Sequence, residues 1–280
     1  MQVVAVIPAL DEEGAIGAVV RALPRDLVRR VVVVDNGSRD RTAASARAAG
    51  AEVVSEPRRG YGFACMAGVA AAPEAEVFLF LDGDGSDFPE DAGGLLEPIL
   101  AGRADLVLGS RERGGMVEGA LPLQARLGNR LAAWLIGVLD GARISDLAPF
   151  KAVRAEPLRA LGLRECTYGW TIELIVRAAQ AGLALEEIPA RYRQRLAGES
   201  KVSGTLSGTI RASARILVTL ARLHWPYRLR QHTPAGRGAG GSSTAIRGTR
   251  RQLLASAGMA LAAGAALSWW HGRRRRTTGA

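Results

Sequence analysis

A chain of 280 residues that is 48% hydrophobic can build one large core or two modest ones, which excludes a disordered chain or a small disulfide-stapled scaffold. Its formal charge of +10 is unevenly spread. From residue 201 onward there are 14 Lys and Arg and no Asp or Glu, leaving the first 200 residues with 23 basic against 27 acidic groups. An acidic body with a basic tail argues against nucleic-acid binding by the body and assigns the tail to an anionic surface.

The chain opens on an apolar strand, "QVVAVIP" (2–8). Pro8 and the acids at 11–13 follow too soon for a secretory signal. Acids in its first turn and apolar residues at helical spacing predict a helix over 11–24. "RVVVVD" (30–35) is a β-branched run of the kind buried on both faces. A helix over 38–50 has Ser38 as its N-cap and Gly50 as its stop. A short strand (51–55), a helix (61–72), a strand (75–82), a helix (89–102) and a strand (104–110) follow. This alternation predicts an α/β domain with an open, mostly parallel sheet and helices on both faces. Helices are then expected over 121–139, 170–182 and 205–225, a short strand within 145–155, and a strand over 183–195 interrupted by Pro189. The two cysteines, Cys65 and Cys166, lack metal or redox spacing and are expected to be reduced core thiols.

In such sheets ligands bind beyond the carboxyl ends of the strands. The polar clusters "PALDEE", "DNGSRD" and "DGDGSD" fall at those ends. In the last, the apolar run 78–81 stops at Asp82, Asp84 and Asp87. Residues two apart in an extended segment share a side, so Asp82 and Asp84 aim together, and Gly83 and Gly85 let the backbone approach a ligand. Two convergent carboxylates suit Mg²⁺ or Mn²⁺, which accept hard oxygen ligands and leave positions for phosphate oxygens. The plain alternative is a solvated acidic turn, with Ser86 and Asp87 capping the next helix.

The pieces "VIPALDEE", "VVVVDNGSRDRT", "FLFLDGDGSDFPED", "DLVLGSR", "SDLAPFKAVR" and "EEIPARYRQRLAGESKVSG", in this order, make the chain resemble glycosyltransferase family 2, with its GT-A fold, and within it the dolichol-phosphate-mannose-synthase-like branch. The resemblance covers roughly residues 1–225. It implies that Pro8, Ala9 and Glu12 border the nucleotide pocket and that Asp35 contacts the base, with Asn36 departing from the frequent "DDGS" form. It implies that Asp82 and Asp84 hold the metal on the diphosphate of a sugar nucleotide, a UDP- or GDP-hexose, and that Arg111 meets the phosphate of the acceptor. Arg193, Arg195 and Lys201 would belong to a basic loop closing over the diphosphate. Asp146 would be the acidic group near the acceptor, acting as a base or orienting an arginine. Glu173 is a second candidate, and Trp170 either lines the acceptor groove or packs in the core. Asp35 as a helix cap and Arg111 as a surface arginine are the bland alternatives.

The expected activity is inverting, metal-dependent hexosyl transfer to a polyprenyl or dolichyl phosphate. A hydroxyl acceptor, on a glycolipid or glycan, is the rival within the class. A sugar-nucleotide nucleotidyltransferase is the rival outside it, although "PALDEE" lacks the glycine-rich basic opening such enzymes use. A nucleic-acid-binding tail protein is a third reading that the acidic body disfavours. Beyond the catalytic domain (1–225), residues 226–252 read as a flexible basic linker. Residues 253–280 read as an apolar helix with an arginine-rich end. Its 18 uncharged residues, Leu253 to Trp270, span about 27 Å, slightly short of a bilayer core of about 30 Å. Membrane contact at the cytoplasmic face is therefore expected, by this segment or by the arginine face of 205–225.

Overall fold

In the computed structural model, residues 1–198 and 218–224 are described. One seven-stranded sheet organises them, in the order β3-β2-β1-β4-β6-β5-β7. The strands are β1 (Val3–Ala9), β2 (Arg30–Asp35), β3 (Glu52–Ser55), β4 (Val77–Phe80), β5 (Leu106–Ser110), β6 (Lys151–Arg154) and β7 (Leu185–Pro189). β1 to β4 run parallel, β5 and β7 are parallel to each other, and β6 is antiparallel to both its neighbours, β4 and β5. The helices are α1 (Ile16–Ala22), α2 (Thr42–Ala48), α3 (Tyr61–Ala71), α4 (Ala92–Leu100), α5 (Arg111–Gly114), α6 (Leu123–Asp140), α7 (Ala155–Ala160) and α8 (Trp170–Gln180).

Burial on both faces explains the unbroken apolar strands. On β1, Val3, Ala5, Ile7 and Ala9 enter one core with Ile16, Val19 and Val20 of α1 and Leu95, Leu96 and Ile99 of α4. Val4 and Val6 enter the other, with Phe78, Phe80, Ile136 of α6, and Trp170, Leu174 and Ile175 of α8. Alternate residues thus serve opposite layers, as the pleat requires. All the co-directed strands end on one edge of the sheet, and the polar loops gather there.

Several boundaries differ from the sequence expectation. The acids 11–13 lie before α1, because their side chains and amides interlock with the next loop. Ser38 does not cap α2, which starts at Thr42 without a side-chain cap; its hydroxyl accepts the Asp11 N–H at 3.0 Å. The last strand is confined to Leu185–Pro189, since residues 190–198 turn back over the acidic loop. Cys65 is buried, whereas Cys166 is only half-buried, so the second thiol is not a core residue. Of the helix expected over 205–225, residues 218–224 are described and are helical, with Leu220 buried and His224 Nε2 2.9 Å from Asp140 Oδ1. The expected linker (226–252) and terminal helix (253–280) lie outside the described residues. Among the described residues no helix is long and apolar enough to cross a membrane.

Candidate active site

The loops after β1 and β2 are locked together by reciprocal bonds. The Glu12 N–H donates to Thr42 Oγ1 (2.8 Å), the Glu13 N–H to Asp40 Oδ2 (3.1 Å), the Arg39 N–H to Asp11 Oδ1 (2.7 Å) and the Arg41 N–H to Glu13 Oε2 (2.8 Å). Asp11 sits at φ +52°, a left-handed conformation that Asp tolerates better than most residues. Pro8 and Ala9, at the end of β1, pair with Val34 and Asp35. Asp35 accepts the Ser38 N–H at 3.0 Å, so it fixes the turn after β2 rather than capping a helix. Asn36 is the hub behind it. Its amide donates to the carbonyls of Glu56 (2.9 Å) and Arg58 (2.8 Å), while its Oδ1 accepts the Gly60 N–H (2.8 Å). An aspartate could accept but not donate, which explains the departure at this position.

β4 ends at Phe80, and residues 82–87 form a turn, not a continued strand. Gly85 adopts φ +74°, a conformation that favours glycine, and a Cβ there would lie 2.5 Å from Leu196 Cδ1, so that side chain would have to shift. The chain after β7 lies directly on this turn. The Arg193 N–H donates to Ser86 O (3.0 Å), its Nε to Gly85 O (2.8 Å), and the Leu196 N–H to Asp84 O (2.9 Å). Arg195 then spans two loops. Its guanidinium donates to both Glu12 oxygens (2.7 and 2.9 Å) and stands 3.7 Å from Asp84. Lys201, expected in the same loop, lies outside the described residues.

The electrostatics of the turn are unbalanced. Burial first, and then the Asp84 charge, push the half-buried Asp82 carboxyl up to about 7, with Lys151 and Arg111 opposing the rise. Burial and both neighbouring aspartates hold Asp87 well above the carboxylate range. Asp87 Oδ2 accepts the Asp82 N–H at 3.2 Å, so Asp87 shapes the turn from beneath rather than capping the next helix. Asp84 Oδ1 accepts the Ser86 N–H at 2.9 Å. The Asp82 carboxylate accepts no hydrogen bond from any described residue.

Hard oxygen donors that repel one another fit a divalent cation. Among the described residues, no three His, Cys, Asp or Glu side chains converge as a self-sufficient cage. Asp82 and Asp84 alone could hold such an ion only with phosphate oxygens and water completing its shell.

Lys151 was not singled out in the sequence. It is fully buried on β6, opposite Phe80 of β4 and Leu108 of β5. Nζ donates to Thr171 Oγ1 at 2.8 Å and lies 5.5 Å from the Trp170 ring centroid. Burial brings this lysine down to about 8, although Asp82 and Asp87 favour its charge. The antiparallel insertion of β6 is what places a cation behind the acidic turn.

Arg111 and Asp146 form one unit. Arg111 Nε and Nη2 donate to Asp146 Oδ2 and Oδ1, both at 2.7 Å, and the Arg111 N–H also donates to Oδ2 at 3.1 Å. Both side chains are buried. Burial alone would raise Asp146, but the bonds and charge of Arg111 hold it below the ordinary range. A carboxylate so committed is a poor proton acceptor, so Asp146 orients Arg111. Asn129 of α6 adds a bond to Asp146 Oδ1 (3.2 Å), and Glu187 accepts the Ser145 (2.8 Å) and Asp146 (3.2 Å) N–H groups. The Tyr192 ring lies 5.0 Å from the Arg111 guanidinium.

One further expectation changes, and one open alternative is decided. Glu173 accepts the Arg164 and Glu165 N–H groups and Arg177 Nε, so it pins the start of α8 and is not a base. Trp170 packs in the core, with its ring centroid 5.0 Å from that of Phe80. It also borders a hollow of about 330 Å³ between α3 and α7, which contains none of the acidic-turn residues.

Comparison with known proteins identifies the family and the fold. The family described as Glycosyl transferase family 2 matches residues 4–154. An uncharacterized glycosyltransferase of Mycobacterium tuberculosis is 40% identical over 208 residues, which are 74% of this chain and 93% of that protein. A dolichyl-phosphate hexose transferase of Haloferax volcanii is 36% identical over 220 residues, covering 77% and 92%. Glucosyl-3-phosphoglycerate synthase of M. tuberculosis, solved with Mn²⁺, UDP and glucosyl-3-phosphoglycerate, superposes with a TM-score of 0.63 at 26% identity, over 79% of each chain. The nucleotidyltransferase alternative does not survive this agreement: the chain is a glycosyltransferase of the GT-A fold and belongs to glycosyl transferase family 2.

Proposed function

We propose that this glycosyltransferase moves a hexose, with inversion, from a nucleoside-diphosphate sugar to a polyprenyl phosphate at the cytoplasmic face of a membrane. In this reading Pro8, Ala9, Glu12 and Asp35 border the nucleoside, and Asp82 and Asp84 hold Mg²⁺ or Mn²⁺ against the donor's diphosphate. When bound, that ion neutralises charge gathering on the leaving diphosphate. Arg195, fixed between Glu12 and Asp84, and Lys201 add positive charge on the same group.

The observation that carries the acceptor assignment is the buried Arg111–Asp146 pair. A lipid phosphate is already an oxyanion near neutral pH. It needs a fixed cation to position it and no base to deprotonate it. A sugar hydroxyl would need a base, and Asp146, saturated by Arg111, is not available for that work. The phosphate oxygen attacks the anomeric carbon, the bond from that carbon to the diphosphate oxygen breaks, and the nucleoside diphosphate departs with the electron pair. The likeness to a dolichyl-phosphate hexose transferase supports the same choice.

The test is incubation with a panel of labelled UDP- and GDP-hexoses, Mn²⁺ or Mg²⁺, and polyprenyl phosphate in detergent. Label entering the lipid phase is expected with one donor. Transfer only to hydroxyl acceptors would overturn the acceptor assignment.

A further inference from the structure

Helix α6 carries two apolar faces. Ala132, Ala133, Leu135 and Ile136 are buried against the sheet layer. Leu123 (67% exposed), Leu127 (56%), Leu131 (49%), Trp134 (60%) and Val138 (37%) are not. At 3.6 residues per turn these five fall within an arc of about 80°, roughly opposite the buried face, along about 22 Å of helix. A helix packed by one face normally turns polar residues outward. Single exposed leucines need no explanation, but a contiguous stripe ending in a tryptophan does. Val117, 54% exposed in the segment leading into α6, adds to the exposed apolar surface, and its N–H donates to Tyr192 O at 2.9 Å.

We infer that this outer stripe of α6 is the face that docks on an anionic lipid bilayer, with Leu123, Leu127, Leu131, Trp134 and Val138 entering the headgroup boundary. The inference deepens the lipid-phosphate reading and rests on it for its purpose. Three observations favour lipid over another occupant. Arg126 and Arg130 run along one edge of the stripe, ion-paired to the single carboxylate of Glu112 (2.6 and 3.6 Å), so that edge keeps a net positive charge. Trp and Leu beside arginine is the composition that settles at a membrane interface. The inner side of the same helix supplies Asn129 to Asp146, and so to Arg111. One helix, about 10 Å across, therefore has lipid-compatible surface outside and the proposed phosphate-holding pair inside. That arrangement suits an acceptor whose phosphate enters the site while its chain stays in the bilayer.

The experiment uses the full chain carrying Cys166→Ser, with Cys65 buried, and an environment-sensitive NBD probe on Leu131→Cys. A probe on Glu97→Cys, on the exposed side of α4, is the control. Vesicles are phosphatidylcholine with one quarter phosphatidylglycerol. The probe at 131 is expected to be water-like in solution, to shift blue on vesicles, and to be quenched by spin-labelled acyl chains, with the control unchanged. A probe already blue without vesicles, and untouched by acyl-chain quenchers, would mean that the chain's own tail or a second copy covers the stripe. A probe that stays water-like on vesicles that sediment the protein would mean attachment elsewhere. Either result overturns the inference. As a second readout, Leu127→Glu with Leu131→Glu should lower transfer to vesicle-borne polyprenyl phosphate by about tenfold or more, while transfer to a water-soluble short-chain prenyl phosphate is unchanged. Equal loss with both acceptors would also overturn it. If no prenyl phosphate is glycosylated by the parent chain, the acceptor reading fails, and the probe still decides whether α6 docks.

Discussion

At the end of β4 three carboxylates crowd one turn, with Lys151 and Arg111 as the cations that oppose their repulsion. At the start of α5 a single carboxylate and a single guanidinium neutralise each other through two bonds of 2.7 Å, which leave further guanidinium N–H donors uncommitted. Both places are charged and poorly solvated, yet the first is left electrostatically incomplete and the second is closed. An incomplete cluster has affinity to offer an incoming cation, while a closed pair offers a rigid shape. The division suits a reaction in which the donor brings its metal and the acceptor brings only a phosphate.

The largest effect should come from the incomplete side. Asp82→Asn removes the carboxylate of this turn that accepts no hydrogen bond from any described residue, and hexosyl transfer with saturating donor and Mn²⁺ should fall about 10²–10³-fold. Asp84→Asn should lose less in the first step of donor binding, since Asp84 is already bonded to the Ser86 N–H and paired with Arg195. Donor turnover across a Mn²⁺ titration measures both. If Asp82→Asn kept full turnover in the presence of a chelator, the contrast between the two regions would have no catalytic meaning.

The closed side breaks differently. Arg111→Met leaves the buried Asp146 without its partner and should cost about 3–5 kcal/mol, read as a fall in the midpoint of denaturant unfolding. Adding Asp146→Leu removes the stranded charge, so the double variant should recover most of that stability. It should recover none of the transfer, because the guanidinium proposed to hold the phosphate is gone. Recovery of activity with stability would make the pair merely structural.

A smaller effect is expected behind the proposed nucleotide pocket. Asn36→Asp keeps the acceptor for the Gly60 N–H but strands the carbonyls of Glu56 and Arg58. The expected cost is about 1–3 kcal/mol, together with a weaker donor affinity by calorimetry if the turn carrying Asp35 loosens.

What could be foreseen from the chain follows the same division. The strands β1, β2 and β4 were legible because burial on both faces demands unbroken apolar runs. The polar strand ends were legible because a sheet of this kind puts ligands there. The acidic turn stood out because three aspartates after "FLFL" have no local explanation. Pairings between distant segments were not legible. Arg111 and Asp146 lie 35 residues apart, and nothing in either neighbourhood specifies a bidentate bond. For Lys151, nothing in "PFKAVR" itself signals burial. Only the antiparallel insertion of β6 between β4 and β5 buries it. The outer stripe of α6 was hidden for another reason: an apolar period of about 3.6 announces a helix, but two apolar faces blur into one hydrophobic run.

The final prediction turns the contrast into a difference of sign. In the folded, metal-free chain Asp82 titrates at about 7, against an ordinary value of 3.8. The folded state therefore holds this proton more tightly than the unfolded state does. Its contribution to stability is complete below about pH 4, is lost as the pH rises from about 4 to about 7, and stays absent above. Asparagine remains neutral throughout. Metal-free Asp82→Asn should accordingly be more stable than the parent at pH 8. With one side of the carboxyl open to water the gain is about 1 kcal/mol, or about 2–4 °C in melting temperature, and it should close toward pH 4. Mn²⁺ with UDP should raise the melting temperature of the parent and leave the variant nearly still. Removing a charge thus strengthens the fold at the acidic turn and weakens it at Arg111. If calorimetry across this pH range found the variant less stable at pH 8, the turn would be internally balanced after all, and its carboxylates would have no need of an incoming cation.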